Sequence, residues 1–259
     1  MSSLKTSVVI PLYNGSKTIL GTLESIFNQE LPVDEIIVVD DYSTDDGPKK
    51  VMSFILKHHS LPIDLQLIKL TKNQGVSIAR NKGLAVAQNP IILLCDADDQ
   101  MHPSKNKIAH QFFSDYPKAV AFIHHFNTSV DFTSIDQQTV FKKQALLKNL
   151  LKNKGQGSSI VLNQSEKTWR FDEKMRHSED YDLTNRLAAT GQLYYMPLEL
   201  TQLGRSQGSK GGLSGERWAM RKGELKAIQN LSHYSPFGII LIPFLYIYSL
   251  LKHFIRLFR

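Results

Sequence analysis

The residues with the clearest potential for chemistry are three carboxylates that follow an apolar run. Residues 91–95 are all apolar, and Asp96, Asp98 and Asp99 come directly after them. Such a run predicts a strand buried on both faces, and in open α/β sheets ligands bind where such strands end. Carboxylate oxygens are the donors that Mg²⁺ and Mn²⁺ prefer, commonly shared with a substrate's phosphates. The alternative is a polar turn that only ends the strand.

Two later segments also carry charged groups in informative positions. Glu179 and Asp180 open a predicted helix, where carboxylates either act chemically or simply offset the helix dipole. Residues 204–214 contain four glycines and two cations without periodicity. This composition fits a mobile loop that brings charge to an anion, or a flexible linker.

The elements that must position these groups alternate between strand and helix. Apolar runs predict strands over residues 7–12, 35–39, 65–70 and 91–95, and helical spacing of apolar residues predicts helices over 19–27, 48–58 and 76–87. Further along we expect a helix over 105–116, a strand over 119–124, a loop over 127–138, a helix over 142–151, a strand over 160–162 and a helix from 179 that stops at Gly191. Alternation with short links predicts an α/β fold with a mostly parallel central sheet flanked by helices.

Composition indicates a globular protein with a sizeable core. The chain has 259 residues, of which 42% are hydrophobic and 21% charged. Its one cysteine, Cys95, allows no intramolecular disulfide and lies in a predicted strand, so we expect a core residue. The amino terminus lacks an apolar signal core, which predicts a protein that stays in the cytoplasm.

The net charge of +7 suits nucleic acid, an anionic membrane or a phosphorylated substrate. No aromatic and basic repeat, recognition-helix pattern or zinc-ligand spacing favours nucleic acid. The histidine pairs at 58–59 and 124–125 are sequence neighbours that point to different faces, so we do not expect them to bind metal.

The C-terminal segment is a different kind of sequence. No Lys, Arg, Asp or Glu occurs between residues 232 and 251. The apolar residues 237–251 would reach roughly 22 Å as a helix, short of the roughly 30 Å hydrocarbon core, and Pro243 would bend it. The basic residues that follow suit anionic headgroups. Contact with a membrane surface is therefore predicted, with docking on the rest of the chain and a true span as alternatives.

Six short motifs occur in the order found in one enzyme family. They are Val-Val-Ile-Pro-Leu-Tyr-Asn at 8–14, Glu-Ser-Ile-Phe-Asn-Gln at 24–29, Ile-Ile-Val-Val-Asp-Asp-Tyr-Ser-Thr-Asp at 36–45, Asn-Gln-Gly at 73–75 with Ala-Arg-Asn-Lys-Gly at 79–83, Asp-Ala-Asp-Asp at 96–99, and Glu-Asp-Tyr-Asp at 179–182. The chain resembles the family 2 glycosyltransferases over roughly residues 7–214. The resemblance implies the GT-A fold, a nucleotide-diphosphate sugar donor and inversion at the anomeric carbon.

The resemblance also implies a division of the chain. Residues 1–214 would form the catalytic domain, with a nucleotide-sugar-binding half at 1–100 and an acceptor-binding half at 101–214. Residues 215–259 lie beyond the resemblance and would form a C-terminal helical segment, for which its own sequence predicts the membrane contact described above.

By resemblance, the first two strands end at the nucleotide. Pro11, Tyr13 and Asn14 would line the nucleotide pocket. Asp41 would bind the base, and Asp40 would shape the same turn.

The remaining matched residues would carry out the transfer. Arg80 would face the diphosphate, Asp96 would contact the ribose or sugar, and Asp98 would hold a divalent cation, Mn²⁺ or Mg²⁺. This cation, with Arg80 or Arg205, would stabilise the negative charge that builds on the leaving nucleotide diphosphate. Asp180 matches the family's general base, which would take the proton of an acceptor hydroxyl.

Other positions are less firmly matched or depart from the family. Trp169 either stacks on an acceptor sugar or is a core or edge tryptophan, and Glu179 is a further candidate acceptor contact. Gln207 stands where many relatives have a histidine near the metal, and Ser206 replaces the tryptophan of the Gln-x-x-Arg-Trp element of processive synthases. We therefore expect one sugar to be added per encounter.

These expectations converge on one function. It is a non-processive inverting transfer of a sugar to a hydroxyl of a glycan or lipid-linked acceptor, at the cytoplasmic membrane face, in cell-surface polysaccharide biosynthesis. A nucleotidyltransferase and a nucleotide-sugar-binding pseudoenzyme are the alternatives.

Overall fold

The protein is built around one mixed sheet with helices on both faces. The computed structural model describes residues 4–128, 140–165, 169–205 and 216–257. In these ranges the strands are β1 Thr6–Leu12, β2 Glu35–Asp40, β3 Asp64–Lys69, β4 Ile91–Leu94, β5 Gln100–Met101, β6 Ala121–Asn127, β7 Lys142–Lys143, β8 Ile160–Asn163 and β9 Leu193–Gln202. The α-helices are α1 Ile19–Phe27, α2 Gly47–His58, α3 Val76–Val86, α4 Lys105–Asp115, α5 Leu146–Leu151, α6 Glu179–Ala189, α7 Arg217–Asn230 and α8 Pro236–Leu257.

The first half of the sheet is parallel, as predicted. Strands lie in the order β3-β2-β1-β4, and each pair of neighbours is parallel. Successive side chains of β1 point to opposite faces, so Ile10 packs in the core under α1 and α2 while Val9 packs in the core under α3. Burial on both faces explains why these strands are continuous apolar runs.

The second half of the sheet is mixed, so the prediction of a mostly parallel sheet holds only for the first four strands. Strand β8 is antiparallel to both β4 and β6, whereas β6 and β9 are parallel. The short strands β5 and β7 each pair antiparallel with β9.

Strand β9 was not predicted from the sequence. Pro197 interrupts its apolar pattern, and proline normally argues against a strand interior. The pairing of β6 with β9 skips this position, because His124 pairs with Met196 and His125 pairs with Glu199. A bulge therefore accommodates the proline.

The predicted helix over 142–151 begins too early. Lys142 and Lys143 pair with Tyr195 and Tyr194 of β9, and the helix α5 starts only at Leu146. The conformation of residues 142–143 is set by pairing with a strand that is distant in sequence, so the local sequence pattern could not predict it.

The C-terminal helices pack on α6 through a third apolar cluster. Leu150, Tyr181, Ile228 and Leu245 belong to it. Helix α8 continues through Pro243. In the described part of the chain, no helix combines the length and hydrophobicity needed to cross a bilayer.

Candidate active site

The candidate site lies where β1 and β4 diverge. Strand β1 pairs with β2 on one side and β4 on the other, so the strand order reverses here, and ligands bind at such points in open α/β sheets. Pairing between β1 and β4 ends at Val9 and Leu94. No β4 residue pairs with Pro11. The N–H group that proline lacks is therefore not needed for a hydrogen bond to β4. The motifs that follow the two strands therefore face one crevice.

An acidic turn follows β4 at this crevice. The backbone N–H of Asp96 donates to Ser158 Oγ at 2.8 Å, and Ser158 Oγ donates to Asp99 Oδ2 at 2.6 Å. The N–H of Gly204 donates to Asp99 Oδ1 at 3.1 Å. Burial first, and then the charge of Asp96, raise the pKa of Asp99 to about 7. Asp99 is therefore a structural acceptor inside the turn.

Asp98 is the more accessible carboxylate of this turn. Its Oδ2 lies 3.3 Å from Arg205 Nε at the end of β9. Burial, followed by the neighbouring charge of Asp96, raises the pKa of Asp98, and Arg205 opposes this shift. Two partly exposed carboxylates that repel each other suit a hard cation that also binds substrate phosphates. The described residues contain no cluster of three or more His, Cys, Asp or Glu set to bind a metal, so the substrate would have to complete the coordination.

Arg80 links the acidic turn, residues 96–99, to the start of α6 through two ion pairs, which together we call the Arg80 clamp. Its Nη2 lies 2.6 Å from Asp96 Oδ1 and its Nη1 lies 2.8 Å from Glu179 Oε1. Its guanidinium stacks 5.1 Å from the ring centroid of Phe171. Burial alone would lower the pKa of Arg80, but the two carboxylates raise it above its ordinary value. The backbone of Gly157 lies so close to the guanidinium of Arg80 that a Cβ at this position would clash with Nη2.

This placement changes two roles expected from the sequence. Arg80 is only 3% exposed, and both its terminal nitrogens already bind carboxylates, so it positions other residues and does not face a diphosphate. Glu179 is buried as the partner of Arg80, so it is not an open acceptor contact.

Asp180 lies next to this clamp and is half-buried. Its Oδ1 accepts a hydrogen bond from the N–H of Tyr181 at 2.7 Å. Burial, and then the charge of Glu179, raise the pKa of Asp180 to about 7, with Arg80 opposing and Asp96 adding to the rise. A carboxylate with a pKa near 7 is suited to accept a proton at neutral pH. Asp96 acts on the pKa of both Asp98 and Asp180, so both carboxylates lie within its electrostatic range.

The loops after β1 and β2 are joined to each other. Asn14 Oδ1 accepts a hydrogen bond from the N–H of Thr44 at 2.8 Å, and the N–H of Asn14 donates to Ser43 Oγ at 2.9 Å. Asn14 and Tyr42 both have positive φ angles, 50° and 66°. Strained backbone of this kind concentrates at functional sites. Tyr13 and Tyr42 are each more than half exposed, and sequence reasoning did not single out Tyr42.

Asp41 has a different role from the one expected. Its Oδ1 and Oδ2 accept hydrogen bonds from the N–H groups of Gln74 and Gly75, each at 2.7 Å. The carboxylate is buried, so it holds the turn that leads into α3 and is not open to a nucleotide base. Asp40 accepts a hydrogen bond from the N–H of Ser43 in the turn after β2.

The two tryptophans of the chain differ in exposure. Trp169 is 4% exposed in the core under α3 and α6, so it cannot stack on an acceptor sugar. Trp218 on α7 is 68% exposed and lies beside Glu216, Ala219 and Lys222 at a shallow, open part of the surface. Helix α7 is held beside the start of α6, because Ser178 Oγ donates to the carbonyl of Met220 at 3.1 Å.

Lys105 is a buried cation that the sequence did not reveal. Its Nζ donates to the carbonyl of Ser158 at 2.7 Å and to Thr201 Oγ1 at 3.2 Å. Burial lowers the pKa of Lys105 to about 8, although Cys95 and Asp99 oppose the shift. Ser206 and Gln207 lie outside the described residues.

Comparison with known proteins places this site in a family. Residues 7–176 match glycosyl transferase family 2. The chain belongs to glycosyl transferase family 2. The match contains every motif quoted above except residues 179–182, so the role of Asp180 depends on its geometry beside Arg80.

Named relatives of this glycosyltransferase chain make bacterial polymers. The amylovoran biosynthesis glycosyltransferase AmsB of Erwinia amylovora is 29% identical over 222 residues, covering 76% of this chain and 68% of AmsB. The teichoic acid poly(glycerol phosphate) polymerase of Staphylococcus epidermidis is 31% identical over 137 residues, or 52% of this chain. The chain spans only 19% of the length of that polymerase.

A solved structure confirms the predicted GT-A fold. The mannosyltransferase PcManGT of Pyrobaculum calidifontis, in complex with GDP-Man and Mn²⁺, superposes with a TM-score of 0.69 at 20% identity. The superposition covers 95% of this chain and 69% of PcManGT. Helices flank a central sheet in this arrangement.

Proposed function

We propose that this protein is a non-processive inverting glycosyltransferase that moves a sugar from a nucleotide-diphosphate donor to a hydroxyl of a glycan or lipid-linked acceptor. One observation carries the proposal. Arg80 bonds to both Asp96 and Glu179, so the acidic turn and the start of α6 form one site. The donor-binding acids and the candidate base would therefore line the same crevice.

The donor nucleotide would bind over the joined loops after β1 and β2. Tyr13 and Tyr42 offer exposed rings against which a base can stack. Pro11 and Asn14 shape the floor of this region, and Asp96 would contact the ribose or sugar.

A divalent cation would bind Asp98 together with the donor diphosphate. When bound, it would stabilise the charge on the departing nucleoside diphosphate. Arg205, which contacts Asp98, can move toward the diphosphate because its side chain is half-exposed. A guanidinium offers that group both charge and directed donors.

Asp180 would act as the general base. Its raised pKa keeps the carboxylate basic enough to accept the acceptor's proton as the sugar–oxygen bond forms. The nucleoside diphosphate leaves with the electron pair of the broken sugar–phosphate bond, and attack from the opposite side inverts the anomeric carbon. Trp218, with Glu216 and Lys222 beside it, provides a surface on which the acceptor sugar can stack.

The biological setting follows from the relatives. Polymer-building relatives support a role in cell-surface polysaccharide biosynthesis. For a lipid-linked acceptor, the exposed apolar residues of α8 would provide peripheral contact with the cytoplasmic face of the cell membrane.

The proposal is tested by incubating the full chain with a panel of nucleotide sugars, with Mn²⁺ and with EDTA. At least one donor should release its nucleoside diphosphate, and EDTA should suppress the release. Asp180→Asn should bind this donor as tightly as the wild type but lose transfer. Asp64→Asn, at the exposed start of β3, is the matched control and should retain activity. Equal transfer by Asp180→Asn would overturn the assignment of the base.

A further inference from the structure

We propose that α5 and α8 form one docking surface for an anionic lipid bilayer, in which lysines of α5 bind headgroups and the outer face of α8 enters the interface. This extends the membrane contact proposed above to a second element and gives it lipid selectivity. The docking surface is defined by Leu147, Lys148, Leu151 and Lys152 at α5, and by Ile240, Phe244, Ile247 and Leu251 on α8.

The apolar part of the surface consists of exposed side chains on one face of α8 and at α5. The four α8 residues are 58–67% exposed, and their spacing of three, four and seven places them on one helix face. The opposite face, including Leu245, is buried against α7. Leu147 and Leu151 are also exposed. Contiguous apolar surface of this extent marks a protein or membrane contact.

The charged part of the surface is a group of exposed lysines beside these leucines. Lys142, Lys143, Lys148 and Lys152 are all exposed, and Lys154 stands next to them. Burial, followed by repulsion from Lys148, Lys152 and Lys142, lowers the pKa of Lys154, so these cations are close in space. Among the described residues, none of the five lies within ion-pair distance of a carboxylate. A cluster of uncompensated cations attracts anionic headgroups.

The two parts are joined rigidly to each other and to the active site. Tyr248 Oη on α8 donates to the carbonyl of Leu151 at 3.2 Å. Tyr181 Oη on α6 donates to the carbonyl of Leu150 at 2.8 Å, and Asn149 Nδ2 donates to Asn185 Oδ1 at 2.8 Å. Because Tyr181 follows Asp180, docking would fix the height of the proposed base above the bilayer. This arrangement suits an acceptor whose anchor lies in that bilayer.

Charge argues for a bilayer over a second copy of the chain. A two-fold dimer would place identical patches face to face, so these lysines would meet like charges. An anionic bilayer complements both the cations and the apolar face.

The test is co-sedimentation of the full chain with vesicles of phosphatidylcholine alone and of phosphatidylcholine mixed with phosphatidylglycerol. The wild type should prefer the anionic vesicles. Each lysine near an anionic surface contributes about 1 kcal/mol, so Lys148→Gln with Lys152→Gln should weaken anionic partitioning by about 25-fold. Phe244→Glu should weaken binding to both vesicle types.

Matched controls come from α2, at the opposite edge of the sheet. Lys49→Gln with Lys57→Gln removes the same charge, and Leu56→Glu changes a side chain that is 65% exposed, against 67% for Phe244. These variants should bind vesicles like the wild type. All variants should release nucleoside diphosphate from the donor at the wild-type rate, so a failure of the enzyme proposal is seen separately.

Three results would overturn the inference. The first is a wild-type chain without preference for anionic vesicles, and the second is an unchanged preference in the lysine variant. The third is a dimer in sedimentation equilibrium that Phe244→Glu dissociates while no variant binds vesicles.

Discussion

Arg80 shows how a residue type suited to phosphate can serve inside a site instead. A guanidinium can bind two carboxylates in fixed directions, and here it holds Asp96 and Glu179. The motif predicted a functional arginine at this position but not its partners. Those partners come from β4 and α6, which meet only in the folded chain. Replacing Arg80 would leave the buried carboxylate of Glu179 and the partly exposed carboxylate of Asp96 unpaired, a change with a large cost.

Gly157→Ala tests this clamp without removing any of its charges. The new methyl group would clash with Arg80 Nη2 and lie 3.1 Å from Asp96 Oδ2, so Arg80 must move. A displacement of about 1 Å in a catalytic site costs about 100-fold in rate, and we expect a loss of this size in transfer. The measurement is nucleoside diphosphate release with acceptor present.

Gly21→Ala in α1 is the matched control for Gly157→Ala. Its methyl group would meet only the flexible end of Gln100 at 3.4 Å. Activity should be unchanged, and stability should rise slightly, because alanine is favoured over glycine within helices by about 1 kcal/mol. Wild-type activity in Gly157→Ala would contradict the clamp.

Asp180 predicts the pH dependence of the enzyme. The groups acting on it are Glu179, Arg80 and Asp96, and its pKa is about 7. A base must be deprotonated to act, so kcat/KM should rise with pH and level off above a midpoint near this pKa. The measurement is the transfer rate across buffers of constant ionic strength. A profile that is flat through neutral pH would exclude Asp180 as the base.

At the scale of elements, Asp41 connects the end of β2 to the start of α3. Its carboxylate accepts hydrogen bonds from the N–H groups of Gln74 and Gly75, the two residues that lead into α3. Gly75 donates one of these bonds with φ at 95°, a conformation that few other residues adopt. The adjacent aspartates Asp40 and Asp41 therefore hold the turns around the crevice, and this structural role explains their presence as well as ligand binding would.

Asp41→Ala should destabilise the protein by about 1–3 kcal/mol, because it removes two buried charge-assisted hydrogen bonds. Asp46→Ala is the matched control, since Asp46 precedes α2, is exposed and makes no side-chain cap bond. Its effect should be within about 0.5 kcal/mol. The measurement is urea unfolding, and equal midpoints for the two variants would refute the role of Asp41.

The sequence predicted the elements whose signal is local. Residues 36–39 are uniformly apolar, and β2 is buried along its whole length. The helix at Glu179 ends before Gly191, which has φ at 69°, as the glycine indicated. By contrast β9 and β7 depend on pairing between distant segments, and the burial of Trp169 and Lys105 depends on packing. Residue type and spacing in the sequence do not predict those contacts.

At the scale of the whole molecule, burial in the site disfavours the charged forms of two carboxyl groups. Asp99 and Asp180 both have pKa values of about 7, against an ordinary value of 3.8. A carboxyl with a raised folded-state pKa binds more protons in the folded than in the unfolded chain between these values. Stability from these groups is therefore present in acid and is lost as pH rises through about 7.

The contribution of these groups to stability should consequently decrease as pH rises from about 4 to about 7, and Asp180→Asn should reduce this slope and stabilise the protein at pH 8. The measurement is the melting temperature at each pH for both proteins. Asp115→Asn, at an exposed site on α4, serves as the control and should leave the slope unchanged. A melting temperature that increases over this range in the wild type would contradict the expectation.

Cys95 has a practical consequence for studying the protein. It is the only cysteine, it is fully buried beside the acidic turn, and burial raises the pKa of its thiol well above the ordinary value. Maleimide dyes react with accessible thiolates, so the native chain should remain unlabelled while folded. A cysteine introduced at an exposed position would then carry a fluorophore without any background substitution, and any slow labelling of Cys95 itself would report opening of the core.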